Sequence, residues 1–434
     1  MYRPFHPGSG LLLLTLALAG CGGGDDGGKQ AQIRLVNVSP GYQSLDLYVD
    51  KESNDDNTPK STAVGYETAA DYVSVDSDTY VLKFKRAGVS STLLTLSSEK
   101  LTDESHFTYV AYGSNGRFAT QKISEDVADA DTNKSKIGVI NTAEAGLLDV
   151  YLTEPSVALP DATPQFSSLG SGSSAAATTL ESGTYRLRVT GAGDTTDLRL
   201  DLASVTLESK KVTTLILTGT PGGVLVNAVL LPQQGSLTVN RNTKARVRGA
   251  NGVANGTAVT AKVGSATVLN AAAVGVIGSK YGQIDSGSAA ITLSVDGTPA
   301  SVEDQTLAAG GDYTLLVWSN ANGTQVTLIS DDNRLPATAG KAKMRLLNGM
   351  SAFGGAITLS VDFSPIAEGV VLGEVSDYTE VDAGSDTGLD VTNSATTANL
   401  LSRGSVSLAD GAVYTLFMSG GGTATVGGTL RKDR

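Results

Sequence analysis

Residues 72–82 read Tyr-Val-Ser-Val-Asp-Ser-Asp-Thr-Tyr-Val-Leu, and this stretch decides the fold. Apolar and polar side chains alternate on both sides of an acidic corner at residues 76–78. Such period-2 alternation, broken by turn residues, is typical of two β-strands joined at a corner. The pattern returns about every 100 residues, at 178–187, 281–288 and 378–385. The sequence therefore predicts four copies of one β-rich repeat.

Two further marks recur in each copy. An apolar strand opens the repeats, at residues 33–37, 137–141, 245–248 and 344–348. A strand that runs into a Gly-rich turn closes them, at residues 107–116, 212–219, 313–323 and 414–420. Each closing mark predicts a hairpin, because Asn and Gly supply the positive φ of tight turns. With no stretch of helical period between the marks, we expect an all-β protein of four tandem immunoglobulin-like or transthyretin-like β-sandwich domains.

The marks also place the predicted boundaries. We expect a lipoprotein signal peptide at residues 1–20 and a flexible Gly-rich tether at residues 21–30. The four sandwich repeats are predicted at residues 31–125, 136–232, 243–332 and 342–434. Polar residues, Pro and Gly replace the alternation between the repeats, as is usual for linkers. A rod and a folded-back arrangement are both compatible with such linkers.

The first 21 residues have the form of a bacterial export signal with a lipid-attachment site. The apolar run at residues 11–18 is shorter than the roughly 20 residues of a transmembrane helix. Residues 18–21 read Leu-Ala-Gly-Cys, which resembles the bacterial lipoprotein cleavage motif, and Cys21 is the one cysteine of the chain. We expect lipid on Cys21 to anchor the protein in the cell envelope. By analogy with lipoprotein sorting, Gly22 favours the outer membrane, at either its periplasmic or its surface face. The alternative to a lipoprotein signal is an ordinary secretory signal peptide.

The composition excludes several classes of function. The formal net charge of −12 disfavours nucleic acid and direct docking on anionic lipid. After the signal peptide, His106 is the only histidine and Cys21 the only cysteine, which is too little for the usual zinc site. No Gly-x-Ser-x-Gly elbow is present to form a hydrolase triad with His106. We therefore expect a protein that is not an enzyme and has no catalytic residue.

Calcium is the one cofactor that the residues favour, because hard cations bind clustered carboxylates. The first candidate cluster contains Asp50, Asp55 and Asp56. The second lies between two repeats and contains Asp126, Asp129 and Asp131. The second cluster lacks the Gly and the Glu of an EF-hand loop. We expect both clusters to be solvated acidic loops and the protein to have no cofactor, with structural calcium as the alternative.

Three stretches together resemble a known family. Residues 33–40 end in Ser-Pro, residues 45–49 read Leu-Asp-Leu-Tyr-Val, and residues 181–185 end in Ser-Gly-Thr-Tyr. They resemble the bacterial extracellular domain of unknown function numbered 4397 (DUF4397), which shows an Arg-Val-x-x-x-Ser-Pro opening, a Val-Asp-Val-Tyr-Val strand and a Pro-Ala-Gly-Thr-Tyr corner. The resemblance implies a β-sandwich and a cell-envelope location, and it implies no catalytic residue. The first two repeats carry it, since the last two lack the Ser-Pro and the Asp-x-Tyr pair.

Anchor, tether and repeats together predict a lipid-anchored cell-envelope protein. We expect it to act as a non-enzymatic spacer or protein-interaction module, in contact with the membrane through the lipid on Cys21. The alternative is an adhesin-like surface lipoprotein that binds a glycan or a peptide through loops at one end of a domain, with calcium as a possible stiffener. The partner would then be an envelope protein or a glycan, and not a nucleic acid.

Overall fold

A computed structural model describes residues 29–53, 57–114, 116–254, 258–421 and 424–434. These residues form 36 β-strands and one short 3-10 helix, Leu159–Asp161. The prediction of an all-β protein is confirmed. In this described part of the chain, no helix is long and apolar enough to cross a membrane.

The strands fall into four groups, which we call units 1 to 4. Unit 1 contains β1 (Gln30–Asn37), β2 (Ser44–Lys51), β3 (Pro59–Gly65), β4 (Thr68–Ala69), β5 (Val73–Asp76), β6 (Asp78–Arg86), β7 (Thr92–Leu101), β8 (His106–Tyr112) and β9 (Ala119–Ser124). Unit 2 contains β10 (Lys134–Asn141), β11 (Leu148–Thr153), β12 (Phe166–Leu169), β13 (Ser174–Glu181), β14 (Gly183–Gly191), β15 (Asp194–Leu207), β16 (Val212–Gly219), β17 (Val226–Pro232) and β18 (Thr238–Asn240).

Unit 3 contains β19 (Lys244–Asn251), β20 (Val259–Val263), β21 (Ala266–Ala272), β22 (Gly282–Asp285), β23 (Gly287–Ala289), β24 (Ile291–Val295), β25 (Thr298–Ala300), β26 (Gln305–Leu307), β27 (Asp312–Asn320) and β28 (Gly323–Asp331). Unit 4 contains β29 (Lys341–Gly349), β30 (Ile357–Val361), β31 (Ser364–Val370), β32 (Thr379–Asp382), β33 (Gly384–Asn393), β34 (Asn399–Leu408), β35 (Val413–Gly421) and β36 (Ala424–Lys432).

Every unit pairs its strands in the same order. One sheet has the opening strand at its centre, as in β22-β19-β27-β28 of unit 3 and β32-β29-β35-β36 of unit 4. The opening strand runs parallel to one neighbour, β8, β16, β27 or β35, and antiparallel to the other. The second sheet is wholly antiparallel, as in β3-β2-β6-β7. We call the first sheet of each unit its opening sheet.

Each unit encloses a core of buried apolar side chains between its two sheets. The buried members of the four cores lie within residues 31–111, 137–228, 245–317 and 342–418. Alternation along each strand sends one set of side chains into this core, where a fully buried large apolar side chain contributes about 1.5–3 kcal/mol. The predicted β-sandwich architecture is confirmed.

The corner that defines the repeat is where the chain passes from one sheet to the other. In unit 1, β5 pairs with β1 in the opening sheet, whereas β6 pairs with β2 in the second sheet. The Tyr80 hydroxyl donates a hydrogen bond to the Asp76 carbonyl across the corner, at 2.9 Å. In unit 2 the Tyr185 hydroxyl does the same to Glu181, at 2.8 Å. These tyrosines therefore hold the corner rather than form an exposed aromatic platform.

A buried asparagine ends the opening strand in all four units. In unit 2 the Asn141 side chain donates to the Leu169 carbonyl (2.9 Å) and accepts from the Ala143 amide (3.0 Å). It thereby satisfies backbone groups that would be costly to bury without a partner. The same pair of bonds is made at the equivalent positions, Asn37, Asn251 and Asn348.

Apolar side chains also join the units in pairs, through their opening sheets. Between units 1 and 2, a buried cluster contains Val36, Val38, Val110, Ile216, Val229 and Leu231. Between units 3 and 4, a second cluster contains Ala250, Ile277, Leu316, Ile329, Leu347 and Phe417. The segments predicted as linkers are partly ordered by these contacts: β18 lies within residues 232–242, and Glu125 is buried.

Candidate functional site

The opening sheets of units 1, 3 and 4 each contain a buried arginine with the same three neighbours. The arginine lies opposite a threonine on the parallel strand. The residue just before the arginine pairs with a residue on the antiparallel strand, and a tyrosine immediately precedes that paired residue. A carboxylate follows the last strand. We call this group the arginine site; its members are Arg34, Thr108, Tyr72 and Glu125 in unit 1, Arg248, Thr314, Tyr281 and Asp331 in unit 3, and Arg345, Thr415, Tyr378 and Asp433 in unit 4.

In unit 1 the arginine pairs with the carboxylate of its own unit, and both groups also bond the segment between β17 and β18 of unit 2: Arg34 donates to the Gly235 carbonyl at 2.7 Å, and Glu125 accepts from the Gln234 amide. Arg34 donates to both oxygens of Glu125, at 2.8 and 2.9 Å, and its Nε donates to the Thr108 hydroxyl at 2.8 Å. The Arg34 guanidinium lies 4.5 Å from the centroid of the Tyr72 ring. The Tyr72 hydroxyl donates to Glu125 at 2.7 Å. Burial raises the pKa of Tyr72, so this hydroxyl keeps its proton and acts as a donor.

In units 3 and 4 the two arginine sites cross-link the units. Arg345 of unit 4 donates to Asp331 of unit 3 at 2.5 Å, and Arg248 of unit 3 donates to Asp433 of unit 4, also at 2.5 Å. All four side chains are at most 1% exposed. Burial alone would raise the pKa of Asp331, but the two guanidiniums outweigh burial and hold that pKa below its ordinary value. These sites are structural ion pairs that fix how the two units face each other.

A cleft opens where units 1, 2 and 3 meet, with a volume of about 410 Å³. This volume is within the range of about 300–1,000 Å³ that small-molecule sites occupy. The lining includes Pro40, Tyr66 and Glu67 from unit 1, Thr142, Glu144, Thr220 and Asn227 from unit 2, and Arg241, Asn242 and Arg334 from the connecting segments. We call it the junction cleft.

Charged side chains give the junction cleft its polarity. The exposed guanidinium of Arg241 pairs with the buried carboxylate of Glu67. Burial and the nearby Glu67 raise the pKa of Tyr66 to about 12, so its hydroxyl is a hydrogen-bond donor at neutral pH. The side chains of Asn227 and Asn242 already form hydrogen bonds within the protein. The Asn227 side chain accepts from the Asn242 backbone amide, and the Asn242 side chain donates to the Arg199 carbonyl. The cleft therefore offers the Glu67–Arg241 ion pair, the charged residues Glu144 and Arg334, a tyrosine and apolar Pro surfaces.

The predicted site residues are only partly covered by the described structure. Cys21, Asp55 and Asp56 lie outside it, as do the signal peptide and most of the tether. Asp50 is buried on β2, with the Lys83 ammonium 3.2 Å away. Asp126 binds the His106 ring (2.8 Å) and the His106 amide (2.6 Å).

The second acidic cluster is not drawn together by the fold. The Asp131 carbonyl accepts a hydrogen bond from the Lys134 amide at 2.9 Å in the turn that leads into β10, and Asp129 and Asp131 are exposed. Among the described residues, no group of three or more His, Cys, Asp or Glu side chains is arranged to hold a metal ion. In the same part of the chain, the hydrogen bond of the His106 ring goes to Asp126, and no serine hydroxyl reaches it. Calcium binding stays an untested alternative to the expected absence of a cofactor.

Two regions of the chain match the model of a known protein family. The sequence model of the domain of unknown function DUF4397 matches residues 31–151 and 245–355, more than half of the chain. The chain belongs to this family. The two DUF4397 matches begin at the opening strands β1 and β19 and run past the ends of units 1 and 3. The match in unit 3 was not foreseen from the Ser-Pro and Asp-x-Tyr motifs, which that unit lacks.

Other similarities are remote, and no curated protein matches the chain. A carbohydrate-binding module of family 26 from Eubacterium rectale Amy13K, solved in complex with maltoheptaose, aligns with 43% of this chain and 92% of its own, at 13% identity and a TM-score of 0.16. The Bacillus anthracis TIE protein aligns with 90% of this chain and 68% of its own, at 8% identity and a TM-score of 0.15. TM-scores this low carry no argument about the function of this DUF4397 protein.

Proposed function

We propose that the protein is a lipid-anchored cell-envelope protein that acts as a non-enzymatic interaction module. The export signal, the lipobox at Cys21 and the acidic composition support the address, with the outer membrane as the expected location. The observation that carries the proposed role is that buried apolar clusters join the units in pairs, and polar contacts of Arg434 and Arg117 join the two pairs. Such a scaffold can hold binding surfaces on different units at a fixed orientation to one another.

Two arginines, Arg434 after the last strand and Arg117 of unit 1, form hydrogen bonds to other units or to the segments between them. Arg434 donates to the Gly223 and Asn333 carbonyls, both at 2.8 Å, and to the Glu144 carbonyl of unit 2. Burial lowers the pKa of Arg434 to about 10, so it remains charged at neutral pH. Arg117 of unit 1 donates to the Ala337 carbonyl between units 3 and 4, at 2.7 Å. These contacts favour a scaffold over a flexible string of four domains.

Small-angle X-ray scattering of the mature chain tests the scaffold. A compact chain of this length has a radius of gyration of about 22 Å, whereas four 100-residue beads in a row give about 40 Å. We expect a value closer to the first. A value near the second would refute the scaffold, because the contacts of Arg434 and Arg117 could not then persist in solution.

Metabolic labelling with an alkynyl fatty acid tests the anchor. The wild-type protein should take up the label and fractionate with membranes, and Cys21→Ala should lose both properties. Ser9→Ala, in the same signal segment, is the matched control. Labelling that survives in Cys21→Ala would overturn the proposed anchor.

A second candidate function is binding of a glycan or a peptide, and the junction cleft favours it. The cleft combines the Glu67–Arg241 pair with the Tyr66 hydroxyl and the Pro40 ring, which suits a ligand that has both polar groups and apolar faces. A glycan array with the mature protein would identify a ligand. Binding should weaken in Arg241→Ala and persist in Lys341→Ala, which breaks an exposed ion pair outside the cleft. Equal binding by both variants would exclude the cleft.

A further inference from the structure

Unit 2 has the framework of the arginine site without its large side chains. Gly138 lies opposite Thr214 on the parallel strand, as Arg34 lies opposite Thr108 in unit 1. Ile137 pairs with Thr178, so the position of the tyrosine is occupied by Ala177. In the other units the carboxylate comes two residues after the residue that pairs with the threonine. Thr214 pairs with Leu231, so this position in unit 2 is Gln233. Of the four members, only the threonine remains.

The missing side chains leave a cavity. A space of about 230 Å³ lies between β9 of unit 1 and the opening sheet of unit 2, and all four equivalent positions of unit 2 line it. Its other walls are mixed: the apolar residues Ile123, Val127, Val139, Ile140, Ala175, Val212 and Leu231 lie beside the polar residues Gln121, Lys122, Ser124, Glu125, Ser174 and Thr213. A dry apolar cavity of about 150 Å³ is enough to hold benzene. The space therefore has room for one aromatic ring.

The polar groups around the cavity do not suit a cation. Glu125 already accepts hydrogen bonds from Arg34, Tyr72 and Thr108. The Gln233 side chain is neutral and bonds both the amide and the carbonyl of Val127, at 3.0 and 2.9 Å. A buried guanidinium or ammonium without a free carboxylate would lose its hydration without compensation. The ligand should therefore be neutral.

One hydroxyl remains to orient a ligand. In the described part of the chain, the Thr214 hydroxyl has no hydrogen-bond partner, whereas Thr108, Thr314 and Thr415 each accept from the arginine of their own unit. In unit 1 the Tyr72 hydroxyl lies 3.3 Å from the Thr108 hydroxyl. A phenol placed in the same way in unit 2 would reach Thr214.

We propose that this cavity binds an aromatic side chain of the tyrosine type, supplied by a partner protein. The ring takes the space that Tyr72 and its equivalents occupy in the other units, and the phenol hydroxyl bonds Thr214. The site is distinct from the junction cleft, so it stands or falls independently of glycan binding there.

The test uses p-cresol, the side-chain analogue of tyrosine, with the mature full-length protein and NMR or calorimetry as the readout. We expect saturable binding with a dissociation constant on the order of 1 mM, as befits a ligand of eight heavy atoms. Ala177→Tyr puts a ring in the cavity from an exposed position and should weaken p-cresol binding by at least about tenfold. Ala177→Ser leaves the space open and should bind like the wild type.

Thr214→Val tests the orientation, because it removes the hydroxyl at nearly constant volume. It should weaken binding of p-cresol severalfold and leave binding of toluene unchanged. Thermal melting of each variant separates loss of binding from loss of folding. Absence of saturable binding, equal binding by wild type and Ala177→Tyr, or stronger binding of methylguanidinium than of p-cresol would each overturn the proposal.

Discussion

Removal of the Asp331 carboxylate should uncouple units 3 and 4. Asp331 accepts from Arg345 (2.5 Å), from the Thr314 hydroxyl (2.6 Å) and from the Tyr281 hydroxyl (2.7 Å), and Arg248 lies 3.9 Å away. Asp331→Ala would leave the Arg345 guanidinium, whose side chain is 1% exposed, without its carboxylate. Breaking a buried pair in this way costs about 3–5 kcal/mol, since a charge stays buried without compensation.

The single tryptophan reports on this interface. Trp318 packs against the cluster between units 3 and 4, and its ring lies so close to Gly373 of unit 4 that a side chain there would clash. Urea unfolding followed by tryptophan fluorescence should show the midpoint of Asp331→Ala lowered by about 1 M or more. Asp382→Ala is the matched control, because it breaks an exposed pair with Lys341 and should change the midpoint little.

A double variant tests the cause of the loss. Asp331→Ala together with Arg345→Met removes the charge as well as its partner, and should recover part of the lost stability. If Asp331→Ala and Asp382→Ala had the same midpoint, the buried ion pair would contribute nothing and the reasoning would be refuted. If the double variant were less stable than Asp331→Ala, unpaired charge would not be the cause.

Four further predictions concern the pH dependence of Asp331, the residues Asn141 and Phe363, and calcium. The pKa of Asp331 is lowered in the folded state, so the stabilisation by this carboxylate is present above its ordinary pKa of 3.8 and is lost as the pH falls through the folded-state pKa. The urea midpoint followed by tryptophan fluorescence should therefore be constant near neutrality and decrease below about pH 4. A constant urea midpoint down to about pH 2 would contradict this. Asn141→Ala should destabilise the protein by about 1–3 kcal/mol in chemical unfolding, because two backbone groups lose their partner. Phe363 is 91% exposed with φ +67°, so Phe363→Gly should stabilise by about 1 kcal/mol while Phe363→Ala gains nothing. Calcium should not raise the melting temperature, since the Asp126 carboxylate is bound to His106; a rise with CaCl₂ that EDTA reverses would favour the acidic cluster.

The sequence was sufficient for the all-β class and for the strands that the marks cover, because alternation and turn chemistry are local. All four closing marks are hairpins, such as β27–β28 at residues 313–323, and the opening marks are β1, β10, β19 and β29. The parallel pairing of the opening strand with the strand of the closing mark was not predicted. Such pairing joins residues about 70 positions apart, as Arg34 and Thr108 are, and no local pattern encodes it.

The arginine sites were missed although part of their signal is visible in the sequence. An arginine recurs in the opening mark of three repeats, at Arg34, Arg248 and Arg345, and its absence from the second repeat could have been noticed. Their carboxylates were harder to find. Glu125 was not singled out, because nothing in the local sequence distinguishes a buried carboxylate from a solvated one when its partner is on a distant strand.

The three replacements in unit 2 make sense only as a set. An arginine without Glu125 or its equivalent would be a buried unpaired charge, and a carboxylate without the arginine would be another, so Gly138 and Gln233 must replace them together. The tyrosine then has no guanidinium to cover, and Ala177 suffices. In units 3 and 4 the same positions are filled and both arginines lock the interface. Units 1 and 2 are joined by the apolar cluster and by hydrogen bonds of Arg34 and Glu125 to Gly235 and Gln234, and the proposed aromatic ligand would enter the cavity without breaking an ion pair.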